Sequence, residues 1–176
     1  MISKLNSFMK SFYKTMFNYQ KYLDADNGTF FIDPDPQHKI NNPEVIETTA
    51  QYPALKELDL GELAKTFSMI QDNQLTPILS YLEVFKKSQK SEQENADCFD
   101  TWIKYITTEV SPALKETNKI LKQAYYNKTP FEKINEAYSL QVRIVCNAAK
   151  EMEANFKFDP TNSNSINVEP YNSKKV

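Results

Sequence analysis

The stretch from Thr129 to Phe156, TPFEKINEAYSLQVRIVCNAAKEMEANF, decides how the chain is read. Thr129 is a hydroxyl N-cap, Pro130 suits the first helical position, and Glu132 stands three residues on, where it can reach back. No glycine or proline interrupts the run before Pro160. Ala137, Tyr138, Leu140, Val142, Ile144, Val145, Cys146, Ala148 and Ala149 leave a narrow polar stripe through Glu132, Glu136, Ser139, Arg143, Asn147 and Lys150. Stripe residues three or four apart share one face. A helix apolar over most of its circumference needs neighbours on several sides. The pattern predicts the central helix of a bundle.

Working outward, residues 2–23 place Ile2, Leu5, Met9, Phe12, Met16, Tyr19 and Leu23 at three- and four-residue steps, an amphipathic helix. Its lysines and aromatics also fit a membrane-surface helix, but packing on the bundle is the favoured expectation. Asn42-Pro43 and Pro53 open short helices. Asp59 to Glu62 forms a capping box ahead of Leu60, Leu63, Ala64, Phe67 and Ile70. Thr76-Pro77 and Ser111-Pro112 either start new helices or kink long ones, since proline permits both. Between them, Phe99, Trp102, Ile103, Ile106 and Val110 mark another apolar face.

Only two glycines, Gly28 and Gly61, stand among 176 residues, which removes most routes to hairpins and phosphate-cradling loops. The expectation is all-α: a single-domain irregular bundle of about six to seven helices over residues 1–158, with a polar tail over 159–176. That tail is flexible on composition, with Ile166, Val168 and Tyr171 as its available contacts. Cys98 and Cys146 are too few and too far apart for a disulfide framework and read as buried thiols. Lys10 and Lys14 interrupt any secretory core, and no window reaches the ~18 apolar residues of a membrane span. A cytoplasmic location is the expectation.

The inventory narrows the chemistry. His38 is the single histidine, so histidine triads and multi-histidine metal sites lack parts. Asp24-Ala25-Asp26-Asn27-Gly28 resembles the start of a calcium loop. It is one residue short before the glycine, ends its count on Asp35 rather than glutamate, and reads better as a turn. Glu132 and Glu136 suit a helix start, where they meet the dipole favourably. No metal or cofactor is expected. Arg143, the only arginine, is a candidate clamp for a carboxylate or phosphate.

The net charge of -2 argues against nucleic acid as a partner. Its distribution is uneven: residues 24–62 carry Asp24, Asp26, Asp33, Asp35, Glu44, Glu47, Glu57, Asp59 and Glu62 against Lys39 and Lys56. Such a surface suits a basic partner protein, with Asp33, Asp35, Glu44 and Glu47 as its contacts. The functional expectation is a non-enzymatic binding protein, best specified as an immunity- or antitoxin-like inhibitor. A peripheral membrane role through residues 1–23 and a ligand pocket near Arg143 are the alternatives.

Overall fold

The computed structural model describes residues 1–25, 60–88, 93–129, 131–159, 161 and 166–172. The acidic connection, with Asp33, Asp35, Glu44, Glu47, His38 and the short helices expected near Pro43 and Pro53, lies outside them.

Four long helices form the described molecule. Helix α1 spans Ile2–Ala25. Helix α2 runs over 60–88, as Leu60–Ile70, a π-helical turn Gln71–Leu75, and Thr76–Ser88. Helix α3 runs over 93–126 in the same way, as Gln93–Tyr105, a π-helical turn Ile106–Val110, and Ser111–Tyr126. Helix α4 spans Phe131–Asn155 and leads directly into β1, Phe156–Phe158, which pairs antiparallel with β2, Ile166–Val168. The mainly α-helical expectation holds. Four helices stand among the described residues, where Pro77 and Pro112 neither start nor end a helix; the short helices expected near Pro43 and Pro53, part of the expected six to seven, lie outside them.

The π-turns explain why. A proline inside an α-helix lacks its N–H, and its ring collides with the carbonyl four residues earlier. Here the residue before each proline bonds five residues back: Thr76 N–H donates to the Gln71 carbonyl and Ser111 N–H to the Ile106 carbonyl. The wider turn moves the obstructing carbonyl aside and keeps the helix continuous. Threonine hydroxyls attend the loosened carbonyls, Thr76 at Gln71 (2.8 Å) and Thr107 at Ile103 (2.8 Å).

The helices pack as a ring. The first half of α2 lies on the second half of α3 and the converse halves also meet, so this pair is antiparallel, and α4 packs on α1 and α3. Ile2, Leu5, Met9, Phe12, Met16 and Tyr19 of α1 are all buried, so the amphipathic face serves the core. They meet Leu63, Phe67, Ile70, Trp102, Leu121, Tyr138, Val142, Val145 and Met152 in one cluster. Each such side chain contributes roughly 1.5–3 kcal/mol on burial.

Two local expectations for α4 change. Among the described residues it is one wall of the ring rather than its centre, its principal helical neighbours there being α1 and α3. Its outward face includes Leu140, 58% exposed, and Ala137, whereas Ser139 from the expected polar stripe is buried. Helical geometry imposes this, since Tyr138, Ser139, Val142, Val145, Cys146, Ala149 and Met152 share the inward side. Cys146 is buried, its sulfur 3.4 Å from the Met16 carbonyl, and neither cysteine forms a disulfide.

Among the described residues, no helix is long and apolar enough to cross a membrane. The α3–α4 connection is tight: Thr129 N–H reaches back to the Ala124 carbonyl (2.9 Å), and Lys128 takes φ 52°, the left-handed position usually given to glycine.

A candidate binding cleft at the second π-turn

The end of the chain is fastened to α3. Phe156 pairs with Val168 in the β1–β2 register, and Glu169 N–H donates to the Asn155 carbonyl (3.1 Å). The Trp102 indole N–H donates to the Glu169 carbonyl (2.6 Å), and Tyr171 N–H donates to Thr101 Oγ1 (2.9 Å). Val168 is buried, and Ile166 and Tyr171 pack on the core's edge. These apolar residues outweigh the polar composition of the segment. Burying them, together with a buried indole N–H that needs an acceptor, supplies a reason for the backbone to stay.

Tyr171 lies flat on Tyr105: the ring centroids are 3.8 Å apart and the planes 12° from parallel. Trp102 meets Tyr171 at 5.3 Å, Phe156 at 5.1 Å and Tyr105 at 6.1 Å. Tyr105 is the last residue before the π-turn Ile106–Val110, whose widened backbone presents Thr107, Thr108 and Glu109 to solvent.

Two hollows open beside this stack. One, of about 310 Å³, is lined by Tyr105, Glu109, Ile144, Asn147, Lys150, Glu151 and Tyr171. The other, of about 320 Å³, is lined by Thr101, Lys104, Tyr105, Thr108, Glu109 and Tyr171. Tyr105, Glu109 and Tyr171 belong to both, so the hollows are two sides of one cleft. Its walls come from the first half of α3, the π-turn, the second half of α4 and Tyr171 of the segment after β2.

The electrostatics follow from the lining. Burial pushes the Tyr105 hydroxyl well above the ordinary tyrosine value. Its hydrogen bond to Tyr171 and the Glu109 and Glu151 carboxylates push the same way. Tyr171 is raised too, by burial first and by the same carboxylates, while its hydrogen bond from Tyr105 opposes the shift. Both phenols therefore remain neutral near pH 7 and serve as polar, aromatic walls rather than as bases or nucleophiles.

Arg143 is exposed on α4 and is not part of the cleft lining. It stands one turn before Asn147 and two before Glu151, so it shares their face without entering the hollow. Glu153 is exposed as well, and among the described residues no three histidine, cysteine, aspartate or glutamate side chains could together hold a metal ion. The cleft thus rests mainly on residues that the sequence patterns do not single out. Tyr105 and Glu109 fall in an ordinary helical run, and the only local signal is Pro112, which marks where that run must widen. Tyr171 does stand out, as an aromatic in a polar tail.

No protein-family model, curated protein or solved structure matches this chain.

Proposed function

We propose that the chain is a non-catalytic binding protein for a partner with a basic surface, acting as a cytoplasmic inhibitor of the immunity or antitoxin type. One observation carries the reading: an open cleft walled by a tyrosine stack, whose carboxylates Glu109 and Glu151 stand among lining residues that also include the exposed Lys104 and Lys150. An aromatic and carboxylate lining of this kind favours a cationic side chain over a phosphate, through cation–π attraction and charge-assisted hydrogen bonds. It therefore supports a basic protein rather than a nucleic acid as the occupant. The acidic run containing Asp33, Asp35, Glu44 and Glu47 adds the longer-range field that would steer such a partner.

The alternatives find less support. A membrane role for residues 1–23 would need the face bearing Leu5, Met9, Phe12 and Met16 to leave the core. An anion clamp at Arg143 would not use this cleft, since Arg143 lines neither hollow.

Affinity capture from the native lysate tests the proposal in three arms: the intact protein, Glu109→Lys with Glu151→Lys, and charge reversal at Asp33, Asp35, Glu44 and Glu47. A stoichiometric basic partner lost from the cleft variant, with the helical circular dichroism retained, is the expected result. Equal capture by all three proteins would end the reading.

A further inference from the structure

The polar groups of the cleft have a directional bias that a list of charges does not reveal. Thr101 Oγ1 already donates its proton to the Cys98 carbonyl (2.8 Å), and Thr108 Oγ1 donates to the Lys104 carbonyl (2.8 Å). Thr101 Oγ1 also accepts the Tyr171 N–H (2.9 Å), so it keeps one lone pair, whereas Thr108 Oγ1 presents two. Ionised Glu109 and Glu151 offer acceptors alone, and the Asn147 amide adds one carbonyl oxygen beside its N–H donors. Lys104 and Lys150 are the opposing cations at the two ends. Both are exposed, and their long stems let the ammonium groups turn into water. The inner lining is therefore rich in acceptors, spread over two hollows and backed by a flat aromatic stack.

We infer that the cleft is a guanidinium site: it receives an arginine side chain of the basic partner in preference to a lysine. The inference rests on the proposed basic-partner reading and specifies its contact. A guanidinium is planar, so it can lie along the Tyr105–Tyr171 wall. It also carries five N–H donors fixed in a fork, which can address Glu109 from one edge and Glu151 or the threonine oxygens from another. An ammonium concentrates three donors at one point, is more strongly hydrated, and reaches only one side of a divided cleft. Glu109, common to both hollows, is the residue on which the fork centres.

The test uses the whole protein and two defined probes, N-acetyl-arginine methylamide and N-acetyl-lysine methylamide. Trp102, the only tryptophan, lies 5.3 Å from Tyr171 and provides a fluorescence readout, with amide chemical shifts as a second. The arginine probe should bind about tenfold more tightly than the lysine probe. Glu109→Gln should remove that preference, while Glu153→Gln, an exposed position outside the cleft, should leave it intact. Equal binding of both probes would overturn the guanidinium assignment and leave the basic-partner reading standing. Binding of neither would also overturn it, and the capture arms would then decide the partner reading independently. Unchanged thermal unfolding of Glu109→Gln guards against a folding artefact.

Discussion

Replacing Trp102 with phenylalanine should loosen the end of the chain before it harms the bundle. The indole is fully buried, touches Phe156, Tyr105 and Tyr171, and holds the Glu169 carbonyl through a 2.6 Å hydrogen bond. Losing that bond costs about 0.5–1.5 kcal/mol, and less if water reaches the exposed Glu169. The smaller ring leaves a void among three aromatic neighbours and forfeits about 1–2 kcal/mol of packing, a fraction of the 3–5 kcal/mol measured when Trp or Phe is cut to Ala. The sum is about 1.5–3.5 kcal/mol of global stability, read as a lower urea midpoint with unchanged slope. The strap should respond more strongly than the helices. Protection of the Glu169 and Tyr171 amides from hydrogen exchange should fall well before that of Val142 or Val145. A loss under about 0.5 kcal/mol, with exchange at Glu169 and Tyr171 unchanged, would refute the view that Trp102 anchors the strap.

Other consequences are as direct. Lys128→Gly should raise stability by about 0.5–1 kcal/mol in urea unfolding, because glycine relieves the left-handed φ and only one exposed contact, Lys128 over Tyr125 at 4.6 Å, is lost. Pro112→Ala should stabilise by up to about 1.5 kcal/mol, since it restores a backbone donor at an exposed position, offset by a more flexible unfolded chain. Tyr13, Tyr105 and Tyr138 all have hydroxyls raised by burial above the ordinary 10.0. Their contribution is therefore fully present below pH 10 and declines above it, as the unfolded chain ionises first; urea midpoints across that range, with absorbance at 295 nm marking phenolate, check the sign. Cys98, half-buried, should react with a thiol reagent well before Cys146, whose modification should track unfolding; equal native-state rates would contradict the packing.

The inward residues of α1, Ile2 through Tyr19, were legible because strict three- and four-residue spacing on a one-sided helix leaves little choice. The same logic overreached on α4. A run with alanine at four positions looks apolar all round, yet alanine is tolerated on either side, and Leu140, the one leucine of the helix, lies outside. The prolines left their question open. Local chemistry allowed both a break and a kink, and the deciding factor was tertiary: α2 and α3 each gain a longer packed surface by staying continuous, which outweighs a strained turn. The cleft was least visible. It joins Tyr105 to Tyr171 and Glu109 to Glu151, pairs distant in sequence that no local pattern connects.

The two π-turns begin at Gln71 and Ile106, and each is followed by its proline at the same distance, Pro77 and Pro112. A π-turn is a helix carrying one residue more than the regular winding requires. In a continuous helix, an added residue would rotate everything beyond it by about 100° and take the apolar stripe off the core. Here the surplus is taken up within five residues, so the two halves of each helix keep independent phases and both still face inward. A one-residue change of length within 71–75 or 106–110 can therefore be taken up without turning either half off the core, and the second of these turns contributes Thr108 and Glu109 to the cleft beside Tyr105.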